Sequence, residues 1–586
     1  MLRLFRRFRS KEWALIGVCL LIVAAQVWLD LRLPEYMTEI TALVQTEGSA
    51  MADVFLAGGK MLLCALASMV TSVIVGFFAA RLAAGFSRRL RGELYQKVQA
   101  FSRQEINEFS TASLITRCTN DVTQIQMVVA VGLQVLIKAP IMAVMAIGKI
   151  QSHGNAEWSL LTLGAVALIL LVIVFLMKYA MPRFKRIQGL TDNLNRVTRE
   201  NLTGLRVVRA YNAEDFQQQK FERANGELTV TQLQAQRAMT VMNPTMNLVM
   251  NGLTLGVYWI GAYLIQAASM GERLGLFSNM VVFSSYAMQV IMSFMMLVMI
   301  FIMMPRVSVS ANRINEVLEM EPHIHDGDFE GDTGDRKGEV EFRHVSFRYP
   351  DAEEYVLHDV SFTAKKGETV AFIGATGSGK STVVNLAARF YDATEGQVLV
   401  DGVDVRRYRQ AALHNKLGYV SQKAVLFSGT VADNVALGDN GRAEPARAQV
   451  TKAVQIAQGA EFVEKLPEGY DGAVAQNGSN FSGGQKQRLS IARAVCRQPE
   501  IYIFDDSFSA LDYKTDRVLR AELKRQTAGV TSLIVAQRIG TIMDADRIVV
   551  LSEGRVAGMG THQELLKTCD VYREIAESQL SKEELA

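Results

Sequence analysis

At 586 residues the chain is longer than a single hydrophobic core supports, roughly 250–300 residues, so it holds more than one domain. Hydrophobic residues make up 49% of it, and a formal net charge of +3 is too small for a nucleic-acid binder that works through a basic surface. The five cysteines (Cys19, Cys64, Cys118, Cys496, Cys569) have no metal-like spacing, which argues against a disulfide framework or a zinc site. Apolar residues crowd into long runs before Pro305, and the remainder of the chain reads as soluble α/β sequence.

At the N-terminus, Arg3, Arg6, Arg7, Arg9 and Lys11 precede an apolar run from Trp13 to Leu29. That arrangement resembles a secretory signal, but the run is long enough to cross a bilayer and more runs lie beyond it. Leu2 to Phe8 alternates basic and apolar residues, the pattern of an interfacial helix. Spans are predicted at Trp13–Leu29, Val54–Ala80, Met127–Ile150, Trp158–Met181, Met246–Gln266 and Leu276–Met304. Asp30–Asp53 is acidic, whereas Arg81–Arg103 and Met181–Arg237 are basic, which places the N-terminus and both long loops in the cytoplasm. Arg81–Asp121 and Arg183–Met242 have helical periodicity and read as helices reaching into the cytoplasm. The bland alternative is a pair of charged loops that only set topology.

Charges inside a span are costly and mark function or pairing. Lys138, close to Pro140 in the third span, lines a cavity or joins an ion pair; Lys60 and Lys149 lie nearer span ends and can snorkel. Met288, Met292, Met295, Met299 and Met303 recur every three or four residues and share one helical face. Methionine suits a surface that accepts many apolar shapes, and it is also ordinary packing material.

Beyond Pro305, Val307–Leu318 is predicted helical and Glu321–Lys337 is an acidic, Gly-rich linker. A strand-like run at Glu368–Phe372 leads into Gly374-Ala375-Thr376-Gly377-Ser378-Gly379-Lys380-Ser381, a complete phosphate-binding loop of the Walker A kind, with Thr382 next on the helix. Its glycines let backbone N–H groups turn toward phosphate oxygens, and the helix after it offers its positive end. Lys380 serves the β- and γ-phosphates, and Ser381 can ligate Mg²⁺. Ile501–Asp505 is a buried-strand pattern that ends in a carboxylate suited to Mg²⁺. Between them, Ser482-Gly483-Gly484-Gln485 heads a helical run and offers a second phosphate site. One domain cannot apply both ends to one ATP, so a second copy is expected.

In this order the motifs resemble ABC transporters, and the resemblance covers nearly the whole chain. It implies a Q-loop at Gln422, also a candidate metal ligand with Ser381 and Asp505, adenine stacking on Tyr349, and a D-loop at Ser509–Asp512. Leu114–Asp121 and Asn201–Tyr211 are similar to the intracellular-loop segments of ABC exporters, whose short coupling helices touch the nucleotide-binding domains. The implied fold is an α-helical membrane domain of six spans plus an α/β P-loop nucleotide-binding domain, using ATP and Mg²⁺. We place an interfacial helix at 1–12, the membrane domain at 13–310, a linker at 311–337 and the nucleotide-binding domain at 338–586.

Two positions depart from the family pattern. Asp506 stands where a catalytic glutamate is usual, and Gln537 where a switch histidine is usual. Ala475–Gly478 also lacks the glutamate common in the exporters' cross-talk loop. The pair of changes resembles the degenerate-site subunit of bacterial heterodimeric multidrug exporters. That resemblance implies a partner half-transporter carrying the glutamate and histidine, whose active site Ser482–Gln485 would complete. It also implies amphipathic cargo, a multi-pass location in a bacterial inner membrane with lipid around it, and no nucleic-acid partner. Lipid, peptide or metal-chelate cargo, and an ATP-gated channel or regulatory subunit, are the competing readings.

Overall fold

The computed structural model describes residues 2–46, 50–153, 156–269, 272–331 and 337–580. It divides into two compact units: Met1–Val98 with Ala112–Met320, and Gln99–Thr111 with Glu321–Ala586.

In the first unit, six helical stretches among the described residues are long and apolar enough to cross a membrane. The first is Ser10–Gln45, the second Met51–Gln99 and the fourth Ala156–Thr203. The fifth joins Glu214–Thr240 to Met242–Ala267, and the sixth is Arg273–Glu319. Helix is the form that satisfies backbone N–H and C=O groups without water, and Pro34, Pro140 and Pro182 are tolerated inside these elements although each removes one such bond. The third span is less regular. Two π-helical segments, Arg117–Asp121 and Gly132–Leu136, interrupt it before Ile137–His153. The first is tied to the sixth helix by Arg117 Nη1 on Glu316 Oε2 at 2.8 Å and by Ser310 Oγ donating to Asp121 at 2.8 Å. The unit's core packs Val23, Val27, Trp158, Val257, Phe283 and Tyr286, while Leu21, Leu63, Phe175 and Leu248 stay exposed, as lipid-facing side chains do.

Each predicted span falls within one of these helices, but several boundaries move. The N-terminal helix is only Leu2–Phe5, and residues 10–12 already belong to the first spanning helix, because Glu12 caps its start by accepting from the Arg9 N–H at 2.8 Å. Residues 311–319, expected in the linker, continue the sixth helix to Glu319, since Ala311, Ile314 and Val317 are buried. The excursions expected over 81–121 and 183–242 are helical, with breaks. Ser110 has φ of 58°, and Gly204 and Tyr211–Ala213 separate a short Leu205–Ala210 helix from its neighbours.

The second unit is built, among the described residues, on two large sheets and a two-stranded β ribbon that pairs Gly429–Thr430 with Ala473–Val474. We number its strands β1 (Val340–Phe347), β2 (Leu357–Ala364), β3 (Thr369–Ile373), β4 (Glu395–Val400), β5 (Val403–Asp404), β6 (Leu417–Val420), β7 (Gly429–Thr430), β8 (Ala473–Val474), β9 (Ile501–Asp505), β10 (Thr531–Val535), β11 (Arg547–Ser552) and β12 (Arg555–Gly560). An antiparallel sheet runs β2-β1-β4-β5, and the central sheet runs β12-β11-β3-β10-β9-β6 with parallel pairing from β11 to β6. Parallel strands are covered on both faces, which explains the continuous apolar runs Val370–Ile373 and Ile501–Phe504. Registering β3 beside β10, and β10 beside β9, brings the three loops after Ile373, Asp505 and Val535 to one sheet edge, where parallel sheets place ligands.

The segment Gln99–Thr111 packs within this second unit. Its Arg103–Phe109 helix opens on a capping box between Ser102 and Glu105. Glu105 is fully buried and accepts from the backbone N–H of His323 at 3.0 Å, with the His323 Nδ1 at 2.6 Å. Burial pushes the Glu105 carboxyl up, but the hydrogen bonds from Ser102 and His323 outweigh it and hold the group below its usual range.

Candidate nucleotide site

The phosphate loop joins β3 to the Lys380–Ala387 helix. Gly377 and Gly379 have φ of 85° and 95°, conformations a side chain resists, and a Cβ at Gly379 would lie 2.6 Å from Leu357. At Gly374 a Cβ would collide with the Leu551 carbonyl. Glycine is therefore required three times to curl the backbone. Lys380 Nζ donates to the Gly374 and Ala375 carbonyls at 2.9 and 2.8 Å, inside the curl. Burial lowers the Lys380 ammonium's pKa, while the carboxylates of Asp506 and Asp505 pull the other way. Ser378 and Thr382 are buried, as expected of residues that shape the cradle rather than reach from it, and Thr376 is exposed at its rim.

Ser381 Oγ donates to Asp505 Oδ1 at 2.7 Å, so the hydroxyl and carboxylate proposed for Mg²⁺ share one spot. Hard oxygen donors of this kind fit Mg²⁺, which supplies charge neutralisation for the β- and γ-phosphates when bound. Burial raises the Asp505 pKa, and neighbouring Asp506 adds to the rise. Tyr349 packs edge-on against Phe347 and Tyr391, and its hydroxyl lies 3.0 Å from Thr382 Oγ1, beside the phosphate loop.

The hydrolysis corner has its own geometry. Asp506 sits at φ of 47°, with its N–H donating to the Val535 carbonyl at 3.0 Å. One carboxylate oxygen, Oδ2, accepts from Gln422 Nε2 at 3.1 Å and from Gln537 Nε2 at 2.8 Å. The side chains of the Q-loop, the base position and the switch position therefore close on each other through a single oxygen. Burial raises the Asp506 pKa against these hydrogen bonds. The bond to Asp506 uses Gln422 Nε2, whereas the metal-ligand role expected of Gln422 from the sequence would use its Oε1.

Ser482 caps the Gly483–Cys496 helix: its Oγ accepts from the Gln485 N–H at 3.3 Å, and Gln485 Oε1 accepts from the Ser482 N–H at 2.9 Å. This reciprocal box leaves Ser482 and Gly483 exposed at the positive end of the helix. A Cβ on Gly484 would lie 3.3 Å from the Ala510 carbonyl, so signature and D-loop touch. In the cross-talk segment Asn477 is left-handed at φ of 56°, and its carbonyl accepts from Lys486 at 2.9 Å.

Other residues of this site are not evident from sequence. Tyr419 donates its hydroxyl to Asn385 at 3.3 Å and also neighbours Asp505. Ser507 is fully buried and donates to the Val420 carbonyl at 3.0 Å, holding β6 against the Walker B turn. Arg103, from the Gln99–Thr111 segment, directs positive charge at Asp505. No spacing rule marks the first two, and the third is remote in sequence. Among the described residues no cluster of three or more His, Cys, Asp or Glu side chains is arranged to hold a metal ion.

Family models agree with this geometry: the ABC transporter model matches residues 357–509, and the ABC transporter transmembrane region matches 16–294. An uncharacterised ABC transporter ATP-binding protein of Mycobacterium tuberculosis is 37% identical over 99% of this chain and 98% of its own length. This chain is an ABC transporter. Another uncharacterised ABC transporter ATP-binding protein, YfiB of Bacillus subtilis, is 34% identical over 97% of both chains. An ATP-dependent lipid A-core flippase of Pseudomonas fluorescens is 32% identical over 86% of this chain and 81% of its own. The structure of a bacterial Atm1-family ABC exporter with ATP bound superposes with a TM-score of 0.81, covering 98% of each chain at 24% identity, so the fold is of that exporter type. As an ABC transporter the chain is a multi-pass membrane protein with an ATP-binding domain of the kind that couples hydrolysis to transport.

The ABC membrane unit holds the remaining candidates. Lys138 Nζ lies 3.0 Å from Asp30 Oδ2, so its ion pair forms within the chain. Met288 and Met292 are 39% and 41% exposed, whereas Met295 packs partly buried on the membrane core. Thus the stripe is open at one end and packing at the other. The side chain of Met299 lies outside the described residues.

Proposed function

We propose that this ABC half-transporter exports amphipathic compounds as one subunit of a heterodimer, and that its own ATP site binds nucleotide and hydrolyses it slowly. The observation that carries the reading is the shared oxygen at Asp506. A carboxylate that orients attacking water needs a free lone pair aimed at that water. Here Oδ2 already accepts two amide hydrogens, so Oδ1 is the oxygen that would have to reach the water, on a side chain one methylene shorter than glutamate. A misplacement of about 1 Å at such a group costs about 10²-fold in rate. Gln537 can hydrogen-bond a phosphate but cannot bring an imidazolium charge.

The phosphate loop and the Ser381–Asp505 pair keep every group needed to hold ATP with Mg²⁺. The exposed signature helix, Ser482 to Gln485, keeps every group needed to complete a site on a partner that carries glutamate and histidine. ATP then draws the two nucleotide domains together, and hydrolysis at the partner's site separates them. The membrane cavity alternates with this cycle, with the N-terminus and nucleotide domain in the cytoplasm of a bacterial cell. The open methionine face supports amphipathic cargo. A lipid-like cargo is the second reading, supported by the relatives named lipid A-core flippases.

Co-expression with a glutamate-bearing partner tests the assignment. The pair is expected to hydrolyse ATP at least about tenfold faster than this chain alone, and to move amphipathic dye into inverted vesicles with ATP. Brisk hydrolysis by this chain alone overturns it.

A further inference from the structure

The hydrolysis corner is tied to a helix far from it in sequence. The turn that follows β10 carries Gln537 between two fixed points. Upstream, the Ala536 N–H donates to the Phe372 carbonyl of β3 at 3.1 Å; downstream, Ile539 is fully buried. Ile539 also opens the short Ile539–Ile542 helix, whose N-cap residue, Arg538, makes no side-chain cap hydrogen bond. An arginine side chain has only donors, so it cannot accept the N–H groups that a helix start leaves unpaired. Gln579, the last residue of the Asp570–Gln579 helix, supplies the missing acceptor: its Oε1 takes the Ile539 N–H at 2.9 Å. Its Nε2 donates to the Gln537 carbonyl, also at 2.9 Å. One side-chain amide thus holds the turn on both sides of Arg538. The helix that carries it is fixed in turn. Tyr572 and Ala576 are fully buried in one cluster with Ala536, Ile539 and Ile542, and the Tyr572 hydroxyl lies 2.7 Å from His562 Nδ1.

We propose that Gln579 is a positioning residue for the switch: its two hydrogen bonds aim the Gln537 amide at the γ-phosphate, so that the Asp570–Gln579 helix helps this site tell ATP from ADP. This rests on the reading that Gln537 hydrogen-bonds a phosphate, and it adds what aims the side chain. Gln537 Nε2 carries two N–H groups; one donates to Asp506 Oδ2 at 2.8 Å, which leaves the second for a phosphate oxygen. Asp506 lies within the field of the Lys380 ammonium, which sits inside the curl of the phosphate loop. A flexible side chain delivers one N–H to one oxygen only when its own backbone is held, and small misplacements there are costly. Gln579 holds that backbone at the Gln537 carbonyl itself. An amide suits the task because it has one donor end and one acceptor end; a carboxylate or an ammonium can bond only one of the two backbone groups. Gln579 bonds the turn's backbone and not the Asp506 carboxylate, so its influence passes through Gln537.

Nucleotide competition on the purified full-length chain, in uncharged maltoside micelles with Mg²⁺, tests this. A fluorescent ATP analogue is displaced by β,γ-imido-ATP or by ADP, and the readout is the ratio of the two affinities. The imido linkage resists hydrolysis, so the ratio is independent of how fast the site turns over. It is also independent of the fraction of each variant that folds. Gln579→Met keeps the side chain's length and a good helix propensity but removes both hydrogen bonds. It is expected to lower the triphosphate preference about fivefold, with ADP affinity within about twofold of wild type. Gln537→Ala should lower the preference about tenfold, and adding Gln579→Met to it should change nothing further. An unchanged preference in Gln579→Met overturns the proposal. So does an equal loss of both nucleotides, or a Gln579→Met effect that persists undiminished in the Gln537→Ala background. A loss in Gln537→Ala with none in Gln579→Met sinks the clamp and spares the phosphate contact of Gln537. Wild-type preference in Gln537→Ala sinks both.

Discussion

The phosphate loop and the hydrolysis corner lie at one edge of one sheet, yet they have different character. In the loop, every residue meets the demand of its position: Gly374 and Gly379 where a Cβ cannot fit, Gly377 at a left-handed φ of 85°, Lys380 inside the curl, and Ser381 on Asp505. In the corner, the carboxylate is short, the switch side chain is an amide, and Gln537 and Gln422 both donate to Asp506 Oδ2. On the reading proposed above, binding and hydrolysis are separable properties of one fold, the first set by backbone curvature and a buried cation, the second by the carboxylate and switch side chains.

The largest expected effect lies on the binding side. Lys380→Ala should weaken ATP binding about 100-fold by fluorescent-nucleotide titration, because charge-assisted contacts to the phosphates are lost. Retained binding would erase the contrast between the two regions. On the hydrolysis side, Asp506→Glu combined with Gln537→His should raise this chain's own turnover by about 10- to 100-fold, read as phosphate release. No gain would mean that the corner is limited by something other than these two side chains. Ser482→Ala should slow the partner's hydrolysis about tenfold while leaving ATP binding to this chain unchanged; its N-cap loss, about 1 kcal/mol, is monitored by thermal melting. An undiminished partner rate would remove the signature from the shared site.

The smallest effect concerns Glu105. Its folded carboxyl is held below the unfolded value of 4.5, so its contribution to stability is complete above that pH and disappears as the pH falls through the lower, folded value. Glu105→Gln should therefore cost about 1–3 kcal/mol at pH 7, and the gap to wild type should shrink below pH 4.5 in parallel melts. A gap that grew on acidification would reverse the sign and contradict the hydrogen bonds from His323 and Ser102.

Much of this fold is legible in the sequence because its signals are local. The Gly374–Ser381 loop, the Ser482–Gln485 box and the run ending at Asp505 each encode their geometry within a few consecutive residues, and apolar length alone locates all six spans. What is not legible depends on distant partners. Sequence leaves Lys138 as cavity lining or ion pair, and only the fold brings Asp30 to it. Glu105 looks like any charge on a cytoplasmic helix until His323, 218 residues away, closes on it. The π-helical segments of the third span have no local signature in Arg117–Asp121 or Gly132–Leu136. The helix predicted over Val307–Leu318 is present, but its unbroken continuation from the sixth span depends on burial of Ala311, Ile314 and Val317, which only the fold shows.

The most direct measurement is single-turnover ATP hydrolysis by this chain alone, comparing wild type with Asp506→Asn. If Asp506 does not orient water, both proteins should retain bound ATP and hydrolyse it slowly at rates within about twofold of each other, whereas removal of a working base at this position would cost about 10²-fold or more. A brisk wild-type rate abolished by Asp506→Asn would contradict the separation of binding from hydrolysis.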